Sequence, residues 1–285
     1  MTGIYDVNGN LISDATPKNI KILGIGNSYT RDSLRWVWKI LKELGYENVV
    51  VGHGYWGAST LAQQYSSRSS GSFEYWKYTT SQNATKTSSK SLDFILADEA
   101  WDVVVFQQQS DEAGQYNSFV SDSFDINDFV SYVKLNISNS SLRIGIALTW
   151  SHATGYSGDK FAQYYNSDPA VQLAAIKSVI PQVANHMSQC NYVVNVGIAI
   201  EQGRLNTYLN ALGSQMLRSD KNHLQYGIPS YMAGLVYALT ICNVDITELT
   251  WYPTSTDEGT TCTTSQYLAY LAKQCARYAK EFFEH

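Results

Sequence analysis

The sequence is poor in charged residues and lacks any concentration of positive charge. Only 16% of its 285 residues are charged, and the formal net charge is −5. Neutralising nucleic-acid phosphates requires a basic surface, so we expect no nucleic-acid partner. No Lys or Arg cluster adjoins an apolar helix, and no apolar run approaches the ~20 residues of a membrane span. We therefore expect no membrane partner either.

Cysteine is also scarce, with four residues in the chain. No two of them form a CxxC or a Cys/His spacing typical of zinc, so we expect no metal site. An even number permits one or two disulfides, for example Cys242 with Cys262, and equally permits four reduced thiols. The segment before Lys18 has no charged-then-apolar leader pattern. We therefore expect either a cytoplasmic protein or a trimmed secreted or periplasmic form.

Aromatic residues are plentiful by contrast, with 21 Tyr and seven Trp. Their flat apolar faces and polar edges suit stacking on sugars, and they suit an aromatic-rich core equally well. Composition therefore makes a carbohydrate ligand plausible without selecting it.

Short apolar runs alternate with helical patterns along the chain. After the run at 20–25, apolar residues recur at spacings of three and four from Leu34 to Leu44, and Gly45 ends this helix. Further helices are predicted near 125–134, 168–189 with a kink at Pro181, 226–241 and 264–283. The five predicted strands are 20–25, 49–51, 103–106, 142–148 and 192–196. This order predicts a single α/β domain, a flavodoxin-like three-layer α/β/α sandwich with a five-stranded parallel sheet.

Residues 52–100 fit this regular alternation poorly. The segment is long and rich in Ser, Thr, Gly and Tyr, and long loops in compact domains are usually functional or mobile. We interpret it as an insertion over the active-site edge of the domain 1–285 rather than as a second domain.

Ser28 follows the first predicted strand and precedes a helix. In open α/β sheets ligands bind beyond the carboxyl ends of the strands, and a helix N-terminus favours developing negative charge. Ser28 is therefore a candidate nucleophile, although Ser28 or Thr30 could equally serve only as the helix cap. The segment is neither a Gly-x-Ser-x-Gly elbow nor a dinucleotide-binding fingerprint.

A serine nucleophile needs a general base and an orienting carboxylate. His223 lies in a polar loop before an apolar helix, and Asp220 three residues earlier can reach one ring nitrogen. His53 and His152 are reserve candidates in other loops near the predicted crevice, whereas His186 is predicted to be structural.

With these residues in place, the sequence resembles the SGNH (GDSL-type) hydrolase superfamily over residues 20–241. Within it, the sequence is most similar to a bacterial SGNH-like subgroup of unknown function. The resemblance rests on ILGIGNSYT around Ser28, YWGASTL around Gly57, and the Asp-x-x-His block Asp220 to His223. It implies a Ser28–His223–Asp220 triad and an oxyanion hole that uses the backbone N–H groups of Ser28 and Gly57.

The third block departs from the superfamily. Typical members have Gly-x-Asn-Asp after the third strand, whereas this chain has Gln107-Gln-Gln-Ser-Asp111. A Gln amide supplies the same N–H donor as Asn, so the oxyanion role passes to Gln107, with Gln109 as the alternative.

The resemblance implies a carboxylic ester hydrolase that needs no cofactor, with a small-molecule or carbohydrate ester as substrate and an acetylated carbohydrate favoured. Tyr55, Trp56 and Trp150 are predicted to bind the substrate. Two alternatives stay open: a non-catalytic carbohydrate-binding protein that retains the fold, and a lysophospholipase or thioesterase of the same superfamily.

Overall fold

The computed structural model describes residues 3–5, 11–14, 18–211, 216–255 and 262–282. The strands in these ranges are β1 (Gly3–Tyr5), β2 (Leu11–Asp14), β3 (Asn19–Gly26), β4 (Asn48–Tyr55), β5 (Phe73–Tyr78), β6 (Thr85–Lys90), β7 (Val103–Phe106), β8 (Val120–Ser121), β9 (Phe124–Asp125), β10 (Arg143–Ala147) and β11 (Tyr192–Val194). The α-helices are α1 (Ser28–Leu34), α2 (Val37–Glu43), α3 (Leu61–Ser66), α4 (Leu92–Ala97), α5 (Ile126–Asn136), α6 (Asp159–Tyr165), α7 (Pro169–His186), α8 (Val196–Leu205), α9 (Thr207–Ala211), α10 (Ile228–Cys242) and α11 (Gln266–Glu281).

A seven-stranded sheet in the order β11-β10-β7-β3-β4-β5-β6 forms the centre of the fold. The first five strands in this order are mutually parallel, and β5 and β6 are added antiparallel at the β4 edge. The prediction of an α/β/α sandwich with five parallel strands is confirmed, and two further strands widen the sheet.

Helices cover the sheet in two layers. Helix α10 packs against α1, α2, α8 and α11, while α1 and α2 also contact β4. Helix α5 packs through Phe129 onto Phe106 of β7, and Asn127 at its start donates to the carbonyl of His186 at the end of α7. The central strands are buried on both faces, which explains why 22–25 and 103–106 are apolar throughout.

The segment 52–100 is more regular than its composition predicts. It contains the end of β4, helices α3 and α4, and the two antiparallel strands β5 and β6. Alternation in Phe73–Tyr78 places Phe73 and Tyr75 in the core, and Tyr78 at the end of the strand is buried as well. The segment therefore extends the sheet, and it belongs to the same hydrophobic core.

Two element boundaries differ from the predictions. The helix expected from Leu34 to Leu44 is divided into α1 and α2 near Trp36. The last strand ends at Val194, and Val196 already begins α8.

All four cysteines are free thiols, so the possible Cys242–Cys262 bridge is not formed. None of the helices in the described ranges combines the length and apolar composition needed to cross a bilayer. Among those same residues, no three His, Cys, Asp or Glu side chains converge as a metal site requires.

Candidate active site

Ser28 lies at the carboxyl end of the central strand β3, as the first residue of α1. The helix cap is its neighbour Asn27, whose side chain accepts a hydrogen bond from the backbone N–H of Tyr29 at 3.1 Å. Neither Ser28 nor Thr30 is the cap. The Ser28 hydroxyl is therefore not required to complete the helix.

The loop that carries Asp220 and His223 is folded on itself. The backbone N–H of Arg218 donates to the carbonyl of His223 at 2.7 Å, and Lys221 takes a left-handed conformation with φ of 63°. Oδ1 of Asp220 accepts from the backbone N–H groups of Asn222 and His223, both at 2.9 Å. The Asp-x-x-His spacing thus forms a tight turn in which the carboxylate faces the ring.

The structure brings Ser28, His223 and Asp220 into one hydrogen-bonded chain. Nε2 of His223 lies 2.7 Å from Oγ of Ser28, and Nδ1 lies 2.8 Å from Oδ2 of Asp220. Burial opposes ionisation of Asp220, but the backbone N–H groups and the imidazole outweigh it and hold the pKa of this carboxyl below its usual range. A charged carboxylate, an imidazole and a hydroxyl in this order can move a proton away from the hydroxyl.

Asp32 fastens the same loop to α1 on the other side of His223. Its Oδ2 accepts from the backbone N–H of Leu224 at 2.9 Å, and its Oδ1 accepts from Arg218 at 2.6 Å. The carboxyl is 2% exposed, and burial, partly countered by Arg218, raises its pKa.

A buried hydrogen-bond network joins the loop to Tyr29 and Trp150 through Asn222. The Tyr29 hydroxyl donates to Oδ1 of Asn222 at 2.5 Å and lies 3.2 Å from Nδ1 of His152. Nε2 of His152 lies 2.9 Å from Oδ1 of Asp111, so both ring nitrogens have partners away from Ser28. Trp150 stacks on Tyr29 at 4.0 Å between ring centroids, and its Nε1 donates to the Asn222 carbonyl. His152, a reserve candidate for the base, thus belongs to the scaffold of the loop.

Trp150, which was predicted to bind substrate, is enclosed within the protein. The side chain is 1% exposed, because it is enclosed between Tyr29 and the loop that it supports. An indole face occupied by a tyrosine ring has no room for a sugar.

Two further histidines of the described ranges, His53 and His186, make no hydrogen bond with the serine hydroxyl. His53 is a buried residue of β4, and burial, with the nearby Arg31 charge, lowers its pKa to about 3. His186 lies at the end of α7 and contacts Asp125 at 2.9 Å, in agreement with its predicted structural role.

A cavity of about 260 Å³, the serine cleft, opens beside the Ser28 hydroxyl. It is lined by Ser28, Arg31, Asp32, Arg35, Tyr55, Arg218, His223 and Tyr226. Sequence reasoning missed its three arginines. For Arg31 and Arg35 a signal was available. Ser28, Arg31, Asp32 and Arg35 are spaced at i, i+3, i+4 and i+7, which places them on one face of a helix.

Of the other two aromatic residues predicted to bind substrate, Tyr55 lines the cleft and Trp56 does not appear in its lining. Tyr55 lies at the carboxyl end of β4. Trp56 is partly buried and packs edge-to-face on Phe73, with ring centroids 5.9 Å apart. Trp76 of β5 contacts the cleft indirectly, because the Arg31 guanidinium lies 3.2 Å above its ring.

Gly57 follows Trp56 at the carboxyl end of β4 and is exposed. A Cβ there would lie 2.9 Å from the Tyr55 hydroxyl, so a side chain at this position would press on a residue of the cleft. The next residue, Ala58, has a φ of 56°, which marks a tight turn beside the serine.

Both ends of the Gln107 amide form hydrogen bonds within the protein. Its Oε1 accepts from the backbone N–H groups of Asn27 and Thr30, both at 3.2 Å, and its Nε2 donates to the Gln108 carbonyl. To serve an oxyanion, Nε2 would have to leave that carbonyl. The Gln109 amide also has partners within the protein. Its Nε2 donates to the Asp111 carboxylate, and its Oε1 accepts from the Asp111 backbone N–H.

We expect the Gln107→Met variant to be less stable than the wild type by about 2–4 kcal/mol, since it removes the acceptor of two buried N–H groups at nearly constant volume. The free energy of unfolding from urea titration measures this loss. Gln274→Met changes an exposed Gln of α11 and is the matched control. A Gln107→Met protein with unchanged stability and a large loss of kcat would instead favour the oxyanion role.

A larger cavity of about 450 Å³ lies beyond His152 and is lined in part by Ser151, Asp168, Glu201 and Arg204. Its serine is held by Arg204, whose Nη1 donates to Ser151 Oγ at 2.8 Å. The His152 ring is committed to Asp111 and Tyr29. This cavity therefore has no serine–histidine pair.

The fold and the site together define the class. The chain forms a mostly parallel α/β/α sandwich, with a serine at the end of a central strand. The model of the family described as domain of unknown function DUF4886 matches residues 21–275, so the chain belongs to that family. This agrees with the expected subgroup of unknown function.

Two solved structures share the fold. A DUF4886 family protein from Bacteroides uniformis is 23% identical, with a TM-score of 0.81 over 92% of this chain and 95% of that chain. A protein from Slackia heliotrinireducens with the description "putative SGNH hydrolase" is 18% identical, with a TM-score of 0.51 over 79% of this chain and 100% of that chain. No curated protein matches the sequence. At these identities the likeness is one of fold.

Proposed function

We propose that the protein is a serine esterase that hydrolyses carboxylic esters through Ser28, His223 and Asp220. The observation that carries this proposal is the unbroken chain from Ser28 Oγ through both nitrogens of His223 to the Asp220 carboxylate. A serine that served only as a helix cap would not need this arrangement, and the cap here is Asn27.

In the first half of the reaction, Nε2 of His223 takes the proton of Ser28 as Oγ attacks the ester carbonyl. The tetrahedral intermediate collapses, the C–O bond to the alcohol breaks, and the alcohol leaves with the proton from His223. In the second half, His223 removes a proton from water as the water oxygen attacks the acyl carbon. The bond from this carbon to Ser28 Oγ then breaks, His223 returns the proton to Oγ, and the carboxylic acid is released. Asp220 holds the Nδ1–H tautomer and stabilises the imidazolium that forms in both halves.

The negative oxygen of the intermediate needs hydrogen-bond donors. We assign this role to the backbone N–H groups of Ser28 and Gly57, which follow the carboxyl ends of adjacent strands β3 and β4. Gln107, or Gln109 in its place, contributes only if its amide nitrogen changes partner during the reaction. Loss of one such donor typically lowers turnover by about 100- to 1,000-fold.

The cleft favours a small acyl group. Its volume of about 260 Å³ is below the ~300–1,000 Å³ of pockets that hold drug-sized ligands. Its walls are mainly polar side chains and Tyr55 and Tyr226 rather than aliphatic residues. These features support an acetyl ester of a carbohydrate as the substrate.

The direct test is exposure to a fluorophosphonate followed by peptide mass spectrometry. We expect a single adduct on Ser28 in the wild type and none in the His223→Ala variant, because the hydroxyl is not nucleophilic without its base. Heat-denatured protein controls for non-specific phosphonylation. Esterase activity from a protein that carries no adduct on Ser28 would contradict the proposal.

A series of p-nitrophenyl esters tests the acyl group. We expect kcat/KM to be highest for acetate and to fall as the chain lengthens to butyrate and octanoate, because the cleft is small. A maximum at octanoate would favour a lysophospholipase or thioesterase, and no turnover of any ester would favour a binding protein.

A further inference from the structure

The side-chain donor expected in the oxyanion hole is bound elsewhere. Nε2 of Gln107 donates to the Gln108 carbonyl, so two backbone N–H groups, those of Ser28 and Gly57, remain for the negative oxygen. Oxyanion holes commonly combine backbone N–H groups with a side-chain donor, and a tyrosine hydroxyl is one of the groups that serve. The cleft beside Ser28 contains such a hydroxyl.

The turn that follows β4 is joined to the serine turn. The backbone N–H of Trp56 donates to the Gly26 carbonyl at 3.1 Å. Nδ2 of Asn27 donates to the Ser59 carbonyl at 3.3 Å. These two hydrogen bonds fix the turn after β4 against the two residues that precede Ser28.

The Tyr55 side chain places its hydroxyl at this turn. A Cβ on Gly57 would lie 2.9 Å from the Tyr55 hydroxyl oxygen, so this oxygen lies against the glycine whose N–H is assigned to the oxyanion. Tyr55 also lines the serine cleft together with Ser28 and His223. Its ring packs edge-to-face on His53, with centroids 5.5 Å apart. The hydroxyl is therefore held beside Gly57, in the same cavity as the serine.

The Tyr55 hydroxyl differs from the two other tyrosine hydroxyls near Ser28. The Tyr29 hydroxyl donates to Asn222, and the Tyr226 hydroxyl accepts from Nη1 of Arg218 at 3.1 Å. Among the residues that the structure describes, none forms a hydrogen bond with the Tyr55 hydroxyl. This O–H can therefore bind a substrate oxygen without first leaving one of those residues.

The Tyr55 phenol also keeps its proton. Burial, together with the charge of Glu74, raises the pKa of Tyr55 above its usual value. A phenol with a raised pKa stays protonated at the neutral pH at which an imidazole acts as a base, and a protonated phenol is a hydrogen-bond donor.

We propose that the Tyr55 hydroxyl is the third donor of the oxyanion hole and a catalytic residue of the esterase. As Oγ of Ser28 bonds to the acyl carbon, the carbonyl π electrons move to the oxygen, and the hydrogen bond from Tyr55 strengthens with the charge. It weakens again when the carbonyl reforms and the C–O bond to the alcohol breaks. Tyr55 keeps its proton throughout, so His223 carries out all proton transfers. This inference rests on the proposed esterase function and specifies how the site stabilises the transition state.

Tyr55→Phe tests the proposal, because it removes the hydroxyl and keeps the ring. We expect kcat for p-nitrophenyl acetate to fall by about 100- to 1,000-fold with little change in KM, since the donor acts mainly on an oxygen that has become negative. The variant should fold, because the deleted hydroxyl is half-buried and forms no hydrogen bond with the described residues. Urea titration verifies this.

Tyr75→Phe is the matched control. It removes a hydroxyl from the neighbouring strand β5, where Tyr75 donates to Asp98 at 2.7 Å outside the cleft lining. This variant should retain the wild-type kcat.

A transition-state analogue provides a second measurement. A methyl trifluoromethyl ketone adds to a nucleophilic serine and forms a hemiketal whose negative oxygen occupies the oxyanion position. Its Ki should rise in Tyr55→Phe by the same factor by which kcat/KM falls. A general distortion of the cleft would instead raise KM for the ester.

The outcomes separate this proposal from the esterase itself. Full kcat in Tyr55→Phe, or a loss confined to KM, would overturn the oxyanion role of Tyr55 and leave the esterase intact. An unchanged Ki for the trifluoromethyl ketone would do the same. A wild type that neither hydrolyses the ester nor forms the fluorophosphonate adduct on Ser28 would overturn the esterase, and the role of Tyr55 with it.

Discussion

Replacing Ser28 with alanine is expected to lower kcat for an acetyl ester by about 10,000- to 1,000,000-fold, the range found when a triad member is removed. The reason is that the acyl-enzyme can no longer form, so only the remaining donors around the carbonyl can accelerate attack by water. Steady-state hydrolysis of p-nitrophenyl acetate measures the loss. KM is expected to change far less than kcat, since the hydroxyl contributes little to ground-state binding.

Ser33→Ala is the matched control for this variant. Ser33 lies on the same helix, is buried, and donates from Oγ to the Tyr29 carbonyl at 2.9 Å. Its removal costs about 1 kcal/mol of stability and leaves the His223 contact in place. If Ser28→Ala retained more than about 1% of the wild-type kcat, the nucleophile would have to be another residue.

Asp220→Asn is expected to lower kcat by about 1,000- to 10,000-fold, and by more than Asp220→Ala. The Asn oxygen can keep both backbone N–H bonds of the turn, which places its NH₂ group against Nδ1 of His223. That contact selects the tautomer with the proton on Nε2, which cannot accept the Ser28 proton. Measuring kcat for both variants over pH 5–9 shows which substitution causes the larger loss.

The smaller effect of alanine follows from exposure. The Asp220 side chain is 45% exposed, so in Asp220→Ala water can reach Nδ1 and accept its proton in place of the carboxylate. Asp245→Asn, a change of a carboxylate with 78% exposure in a distant loop, is the control for charge alone. Equal losses in Asp220→Asn and Asp220→Ala would mean that the carboxylate acts through its charge rather than by fixing the tautomer.

The triad candidates could be found from the sequence because their order and local spacing are independent of the rest of the fold. Ser28 follows a continuous apolar run, and three residues separate Asp220 from His223 in one polar loop. Parallel strands place both segments at the same edge of the sheet, so the prediction of a parallel sheet was sufficient to expect them at one edge.

Contacts between distant side chains could not be predicted in the same way. Trp150 was expected to face the ligand, but whether an aromatic residue near a strand end turns outward or beneath a loop depends on its neighbours. The same holds for Gln107, whose amide oxygen binds Asn27 and Thr30 within the protein. The pattern at 52–100 was obscured by Ser and Thr, which are common in edge strands and in loops.

The Ser28–His223 hydrogen bond closes a ring of contacts between α1 and the loop that carries Asp220 and His223. Tyr29 binds Asn222 on one side of this bond, and Asp32 binds the Leu224 backbone on the other. The residues on both sides of His223 are therefore already joined to α1. The flanking hydrogen bonds already fix the loop on the helix, so the conformational entropy of the loop is lost when the protein folds. The Ser28 hydroxyl and the His223 imidazole are therefore held together at a high effective molarity before any substrate binds.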